Sequence, residues 1–336
     1  MTERTIHIGL LLSALALAGW VFGSAGPGLQ SATRSASRAP RDQASLLALI
    51  PPGSAFLLTA DLRQLEGGPL GAFLSERVAR LGGAGKLAKL CGFEPLARLD
   101  QLVISVPSAD LAAQEHPEDF GIVAAGRFRA AEITECAAAV IRERGGESVP
   151  STVGDFRSVR SRGASGGEVA ARDGLLIVSG GNYFRALVDA AGGSFARREH
   201  QDPRDARHVE LRASLGAGAL VATWLLGDNW LLRIAGDEAS AKLSVLSAVT
   251  GIAARLDLGR TTSLSGLLAC TSDDGAARLA SWLVQLRSSL GGLIPSAELA
   301  RLAERVTIRQ AGPRLELGLM LSQAELQLLA TQLLGP

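Results

Sequence analysis

The sequence predicts an α+β protein with two related, duplicated domains, whose largely antiparallel sheets are packed by helices. Segments typical of strands are joined mostly by short turns and not by helical crossovers, which favours antiparallel pairing. The approximate order strand, helix, strand, strand, helix, hairpin, helix occurs twice along the chain. A length of 336 residues is enough for about two domains. Together, these observations indicate an internal duplication.

The first predicted domain covers residues 45–193. Alternating apolar residues indicate its strands, and apolar residues at helical spacing indicate its helices. Its elements are, in chain order, a strand at 55–62, a helix at 63–81, strands at 101–106 and 120–128, a helix at 130–144, strands at 153–161, 168–172 and 175–179, and a helix at 183–191. The dipeptide Asp173-Gly174 is typical of a tight hairpin turn between the last two strands.

The second predicted domain covers residues 213–336 and follows a connector at 194–212, whose mixed charges indicate a solvated segment. Its elements are, in chain order, a strand at 220–226, a helix at 237–255, a strand within 261–271, helices at 274–290 and 297–304, a hairpin of 306–310 and 314–320, and a final helix. Ser322 and Glu325 form the capping box that begins this last helix. Residues 97–100 and 254–257 share the sequence Ala-Arg-Leu-Asp, which supports the duplication.

Residues 1–25 are typical of a signal peptide or of a membrane anchor. The uncharged apolar run Ile8–Phe22 has 15 residues. This is the length of a signal-peptide core and is short of the roughly 20 residues that span a bilayer. Small residues favour cleavage after Ala25, whereas an uncleaved anchor would extend to Leu29. Residues 26–44 are rich in serine, alanine, arginine and proline, which predicts a flexible linker.

The charges around the apolar run leave the topology open. Arg34, Arg38 and Arg41 make its downstream flank the more positive one, which favours a cytoplasmic body under the positive-inside rule. These arginines lie 12 to 19 residues beyond Phe22, where the rule weakens. We therefore expect a periplasmic or otherwise extracytoplasmic protein, which residues 8–22 anchor in the inner membrane if they are not cleaved.

The composition argues against several classes of function. There are 34 basic and 33 acidic side chains, and the net charge of +1 gives no reason to expect nucleic-acid binding. Four histidines and three cysteines without ligand spacing predict no metal site, and we expect no cofactor. Trp230 follows Gly227-Asp228-Asn229 and is a candidate for an exposed aromatic platform that binds a ligand.

Residues 91–104 resemble a known pattern. Cys91-Gly92-Phe93-Glu94-Pro95, followed by the strand sequence Leu99–Ile104, resembles a recurrent feature of bacterial exported or envelope proteins whose family has no assigned function. In that family a second cysteine lies in the helix after the next strand, where this chain has Cys136. The resemblance covers residues 47–193 and implies an exported, duplicated α+β protein, with no catalytic activity to carry over.

The cysteines allow one pair and leave one thiol. A disulfide between Cys91 and Cys136 would close a loop of about 45 residues in an oxidising compartment, and the chain-entropy model gives such a loop about 4 kcal/mol of stability. The alternative is that Cys136 is an ordinary small apolar residue, because it follows Ile133 by three positions on the apolar stripe of its helix. We expect Cys270, in an apolar strand, to be a buried free thiol.

Two glycine-rich segments approach catalytic motifs without matching their context. Gly163–Gly167 has the spacing of a nucleophile elbow around Ser165, but a strand follows it and not a helix, which favours a hairpin loop. Gly82–Lys86 is similar to a phosphate loop. However, Arg80 and Leu87 stand where that motif has glycine and serine or threonine, which favours a loop at a helix end. The sequence therefore assigns no catalytic residue.

These observations favour a non-enzymatic protein of the cell envelope, exported or membrane-tethered. Its two units would bind an envelope protein or an apolar ligand, or have a structural role. An exported hydrolase with a dispersed active site is the first alternative, and a deep polar cleft with clustered carboxylates or histidines would favour it. A lipid- or lipoprotein-handling protein is the second alternative, and it requires a contiguous apolar groove between sheet and helices.

Overall fold

The computed structural model describes residues 43–71, 83–107, 119–163, 167–180, 183–192, 203–228, 230–231, 243–258, 261–289 and 297–334. This part of the chain groups into two compact units, with the boundary between Pro203 and Arg204. The leader at 1–25 lies outside the described residues, as does the linker up to residue 42.

The first unit alternates helices with runs of strands. Its described elements are α1 (Gln43–Leu47), β1 (Phe56–Asp61), α2 (Leu62–Gly67), α3 (Gly83–Cys91), a 3-10 helix (Leu96–Arg98), β2 (Leu99–Val106), β3 (Phe120–Gly126), α4 (Ala130–Glu143), β4 (Ser148–Val153), β5 (Phe156–Ser161), β6 (Glu168–Arg172), β7 (Leu175–Gly180) and α5 (Tyr183–Ala191). These strands lie in the order β1-β2-β3-β7-β6-β5-β4, and each pairs antiparallel with its neighbours.

The core of the first unit is centred on β3. This strand lies between β2 and β7, and its five central residues are buried. The amphipathic helix α5 buries Phe184 and Leu187 in one cluster with Val103, Val123 and Ile177 of the sheet. Burying an apolar side chain of this size contributes about 1.5–3 kcal/mol to folding, so the helix is held by its apolar face. Helix α4 packs against the strands β4 to β7.

The second unit is shorter. Its described elements are α6 (Pro203–Leu215), β8 (Leu220–Leu225), a 3-10 helix (Ser244–Ala248), β9 (Val249–Leu258), β10 (Thr262–Cys270), α7 (Asp273–Ser289), α8 (Ala297–Glu304), β11 (Thr307–Ala311), β12 (Arg314–Leu321) and α9 (Gln323–Leu334). These strands pair antiparallel in the order β8-β9-β10-β12-β11. Leu267 and Leu268 are neighbours on β10 and therefore point to opposite faces. Leu267 belongs to the cluster with Leu211 of α6, and Leu268 packs on the cluster with Leu279 of α7.

The predicted α+β class with antiparallel sheets is confirmed, and the two units share a strand order. In each unit the first three strands are neighbours, a helix follows the third, and the last strand returns to pair with the third. The first unit differs by the additional hairpin β4–β5. A 3-10 helix precedes the second strand in both units, ending at Arg98 and at Ala248. An internal duplication would produce this correspondence.

The Ala-Arg-Leu-Asp echo does not fall at equivalent positions. Residues 97–100 lie where β2 begins, whereas residues 254–257 lie near the end of β9, the strand that corresponds to β2. The segment equivalent to 97–100 is therefore close to Val249. The echo does not contribute to the case for duplication, which depends on the shared strand order.

The helix predicted at 237–255 is wrong over its described part. A 3-10 helix covers Ser244–Ala248 and the strand β9 covers Val249–Leu258, while residues 237–242 lie outside the described part of the chain. The alanines and Arg255 gave the segment a helical appearance. Pairing with β8 on one side and β10 on the other overrides that local preference, because strand propensity depends on context.

The segment predicted as a connector contains an amphipathic helix. Helix α6 runs from Pro203 to Leu215, and the second compact unit includes it from Arg204 onward. His208 is 2% exposed and its Nδ1 lies 2.7 Å from Thr223 Oγ1. Arg212 donates to the carbonyl of Val221, and burial lowers the pKa of this guanidinium to about 10. Charged residues therefore form a packed helix here, because their polar atoms find partners on the sheet.

Two shorter predictions also change. The strand predicted at 153–161 is the second half of a hairpin, in which Gly154 has a φ of 61° between β4 and β5. The segment Gly82–Lys86 is not a loop at a helix end over its described residues, because α3 begins at Gly83. The capping box of α9 is confirmed: the Ser322 amide donates to Glu325, and the Glu325 amide donates to Ser322 Oγ.

Gly121 on β3 tests the packing of α5. A Cβ at this position would overlap Leu187 Cδ1 and lie 2.9 Å from Tyr183 Cε1. Because Leu187 is fully buried and cannot withdraw, we expect Gly121→Ala to lower the free energy of unfolding by about 1–3 kcal/mol. Urea denaturation followed by circular dichroism measures the loss. The control is Gly85→Ala, where a Cβ meets nothing within 4 Å; equal losses in both variants would contradict the packing argument.

Candidate functional site

The predicted cysteine pair is joined in the structure. Cys91 is the last residue of α3 and Cys136 lies within α4, and their Cα atoms are 4.4 Å apart across a sequence separation of 45. Cys136 also lies on the buried stripe of α4 with Ile133, so the two interpretations of this residue are compatible. Cys270 is the buried free thiol that the sequence predicts, and burial raises its pKa.

A cleft of about 430 Å³ opens beside the disulfide. One wall is the C-terminal end of α3 with the turn that follows it, including Phe93. The other wall is one face of α4, on which Glu132, Glu135 and Arg142 line the cleft together with Cys136. Residues three, four and seven positions apart share a helix face, which explains how α4 brings acidic, sulfur and basic groups to one opening.

Arg98 and Glu132 form the charged end of the cleft. The Arg98 guanidinium lies 4.4 Å from the centre of the Phe93 ring, and its Nη1 is 3.0 Å from Glu132 Oε2. Glu132 also accepts from the Arg129 amide at 2.9 Å and from the Arg129 guanidinium at 3.2 Å, which caps α4. Its partial burial, the largest single effect, raises the pKa. The hydrogen bonds from Arg129 and Arg98, with the charge of Arg98, together outweigh burial and lower the pKa.

The other two charged side chains of the cleft, Glu135 and Arg142, are exposed to solvent. Arg142 Nη1 lies 3.4 Å from Ser148 Oγ, and Glu135 makes no hydrogen bond or ion pair with any residue that the structure describes. The cleft thus offers two guanidinium groups and two carboxylates around a disulfide. Because Glu132 is held ionised by Arg98 and Arg129, it is suited to accepting hydrogen bonds and not to donating a proton.

The two glycine-rich segments do not form catalytic loops in their described residues. Ser165 itself lies outside the described part of the chain, but the strands on either side of its segment pair antiparallel, with Arg160 opposite Glu168. This is the predicted hairpin context and lacks the helix that a nucleophile elbow requires. Lys86 lies within α3, and its Nζ is 2.9 Å from Glu143 Oε1.

The histidine and tryptophan candidates are engaged elsewhere. Trp230 is not an exposed platform, because it packs on the cluster under α7 and its Nε1 donates to the Val249 carbonyl at 3.1 Å. His208 is a buried residue of α6 that contacts Thr223 of β8, while His116 and His200 lie outside the described residues. Within the described ranges, no group of three or more His, Cys, Asp or Glu side chains could hold a metal ion.

A second candidate site is a row of leucines on the sheet of the second unit. Successive strand pairings place four leucines directly opposite one another: Leu220, Leu256, Leu264 and Leu319. Leu264 lies on the central strand β10, yet 41% of it is exposed. An exposed leucine in the middle of a sheet indicates a face that the described helices leave partly uncovered.

The next row on the same face is made of small residues. Ala222, Ala254 and Gly266 lie opposite one another on β8, β9 and β10, and Leu317 closes this row on β12. The row beyond them, with Trp224 and Leu268, packs under α7. Because residues two apart share a face at roughly 6.6 Å spacing, the small residues form a strip between two rows of larger side chains, and we call this strip the trough. Sequence reasoning missed this trough, although the alternating leucines in 314–321, beside Leu264 and Leu268 on β10, are its signal.

Comparisons with known proteins add little to this description. No protein-family model matches the chain, and no curated protein matches it. A solved structure described as "Structure of crystal form III of TP0453" is similar to this chain with a TM-score of 0.46 and 11% sequence identity, over 85% of this chain and 97% of that one. The fold class follows from the strand pairing of the chain itself. None of the described helices is long and apolar enough to span a bilayer.

Glu132 and Glu135 form a matched pair on one face of α4. We expect Glu132→Ala to lower the free energy of unfolding by about 1 kcal/mol at pH 7, because it removes a helix cap and two guanidinium partners. The pKa of Glu132 is below its ordinary value of 4.5 in the folded state. This stabilisation is therefore present above pH 4.5 and is lost as the pH falls through the folded-state pKa.

Urea titrations of both variants at several pH values between neutral and acidic measure this dependence. The control, Glu135→Ala, has no partner to lose among the described residues, so its stability should follow that of the unmodified protein at every pH. A Glu132→Ala deficit that persists unchanged in acid would contradict the assigned role of the carboxylate.

Proposed function

We propose that this chain is an exported or membrane-tethered protein of the cell envelope, which acts by binding and not by catalysis. The observation that carries the proposal is the Cys91–Cys136 disulfide. Disulfides persist in oxidising compartments such as the periplasm and are rare in the reducing cytosol. The apolar run at residues 8–22 supplies a route to such a compartment, as a cleaved signal or as an anchor.

The chemistry of the described residues supports binding over the hydrolase alternative. A hydrolase of the glycosidase type needs a carboxyl group whose pKa is raised so that it can donate a proton. The cleft carboxylate of Glu132 has the opposite shift, because Arg98 and Arg129 hold it ionised. The shared strand order of the two units supports an origin by duplication, which the resemblance to the envelope family also implies.

The full chain, expressed in a bacterium with a periplasm, tests export and pairing together. We expect protease added to intact spheroplasts to digest the body of the protein. We also expect one thiol, that of Cys270, to be alkylated after denaturation without reductant. Cys136→Ser should release a second reactive thiol at Cys91, whereas Cys270→Ser should leave the disulfide intact and no reactive thiol. The proposal would be contradicted if the protein in spheroplasts were protected from the protease and if all three cysteines were alkylated without reductant.

A second candidate function is the binding of a hydrocarbon chain in the trough of the second unit. The small residues Ala222, Ala254 and Gly266 are half-buried, and the neighbouring rows are larger apolar side chains. Among the described residues, the side chains of the small-residue strip and of its leucine row are all apolar and offer nothing to orient a peptide, which favours an unbranched acyl chain. This ligand class corresponds to the lipid-handling alternative that the sequence left open.

Gly266→Leu tests this site because it places a large side chain in the trough. A Cβ there would lie 3.4 Å from Leu317 Cβ, at the edge of ordinary contact, and circular dichroism of the variant checks that the sheet accepts the rest of the leucine. We expect about tenfold weaker binding of a fluorescent fatty acid, since excluding two methylenes at about 0.8 kcal/mol each has this effect. The control is Val209→Leu, at an aliphatic position 67% exposed on α6. Unchanged binding to Gly266→Leu would exclude the trough as the site.

A further inference from the structure

We propose that the cleft beside the disulfide admits a small peptide thiol, which opens the Cys91–Cys136 bond and releases helix α3 from α4. The disulfide would then be a redox-sensitive latch and not only a structural cross-link. The inference depends on the cleft, on the unequal exposure of the two cysteine residues and on the packing of α3. It holds in any compartment where such a thiol is present, and so does not depend on the proposed export.

Both cysteines line the cleft, but they are not equally reachable. Cys136 is 8% exposed within α4, whereas Cys91 is half-buried at the end of α3. Thiol–disulfide exchange requires the attacking sulfur to reach one of the two disulfide sulfurs, so access decides which one reacts. The geometry points to attack at Cys91, with Cys136 as the leaving group.

The charges of the cleft suit a thiol that carries both signs. Arg98 and Arg142 line the cleft with Glu132 and Glu135, so the opening has no net charge. Glu135 has no partner among the described residues, and Arg142 has only a 3.4 Å hydrogen bond to Ser148. A short peptide thiol with carboxylate and ammonium groups can therefore pair with both, within a volume of about 430 Å³.

The reaction proceeds in two balanced exchanges. In the first, the thiolate of the peptide forms a bond to Cys91 Sγ, the Cys91–Cys136 bond breaks, and Cys136 leaves as a thiolate that takes up a proton. In the second, another peptide thiolate attacks the mixed disulfide and leaves Cys91 as a thiol. Two peptide thiols are oxidised to one peptide disulfide, and the protein disulfide is reduced to two thiols.

Helix α3 depends on this bond more than the sheet does. None of its side chains from Gly85 to Cys91 is buried, and its main packing is against α4. Besides the disulfide, the ion pair between Lys86 and Glu143 links the two helices, and both of these side chains are largely exposed. Exposed ion pairs stabilise weakly. Strands β2 and β3 lie in the loop that the disulfide closes, but each is paired on both sides within the sheet.

Hydrogen–deuterium exchange of the full oxidised chain, with and without reduced glutathione as the probe, tests the latch. We expect a glutathione adduct on the peptide that contains Cys91 and none on the peptide that contains Cys136. We also expect α3 to lose its protection from exchange on reduction, while β2 and β3 keep theirs. No adduct at any time before reduction is complete, an adduct on Cys136, or unchanged protection of α3 after complete reduction would each overturn the proposal.

Two variants separate a latch from a purely structural cross-link. Cys136→Ser should adopt the open state without added glutathione. Its helix α3 should exchange freely, while the strands of the sheet stay protected. Cys270→Ser is the matched control and should behave as the unmodified chain does in both states. If Cys136→Ser fails to fold, the decision rests on reduction of the folded unmodified chain. Loss of protection in β2 and β3 together with α3 would then show that the bond is structural, which also overturns the latch.

Discussion

The long-range pairing of the third strand with the last strand organises each unit. In the first unit β3 pairs with β7, and in the second β10 pairs with β12, so the chain between them must leave the sheet and return. The helix after the third strand is thereby confined over the strands that follow it. This constraint places Cys136 of α4 beside α3 in the first unit, and it places α7 over one end of the leucine-bearing face in the second.

Short sequence motifs correctly predicted the ends of elements that are fixed by a few adjacent residues. Asp173-Gly174 marked the β6–β7 hairpin, and Ser322 with Glu325 marked the start of α9, because turn geometry and capping depend on a few adjacent residues. Segments whose state depends on distant partners were predicted less well. β9 has alanines and charges typical of a helix, and only its two neighbouring strands make it a strand. Helix α6 was predicted as part of a solvated connector, because its many charged residues gave no sign that His208 is buried.

The candidate sites also divide into features that adjacent residues predict and features that depend on distant partners. The disulfide could be predicted because cysteine is rare in this chain and a resemblance pointed to Cys91 and Cys136. The charges on the cleft wall follow from helical spacing along α4. The trough could not be predicted, since it requires Ala222, Ala254 and Gly266 to align across three strands. A shift of one residue in either pairing would send one strand's contribution to the opposite face, and register is a property of the assembled sheet.

The position of the cross-link along the chain bears on the order of events during synthesis. Cys136 precedes β7 by nearly forty residues, so both cysteines emerge before the strand that completes the pairing of β3. The bond encloses β2 and β3, which already form a hairpin with each other. Oxidation can therefore restrict this hairpin to a compact loop while the remainder is still emerging, and closing the loop early lowers the entropy lost when β7 arrives. The Cys91–Cys136 bond is thus a cross-link that can form before the sheet of the first unit is complete.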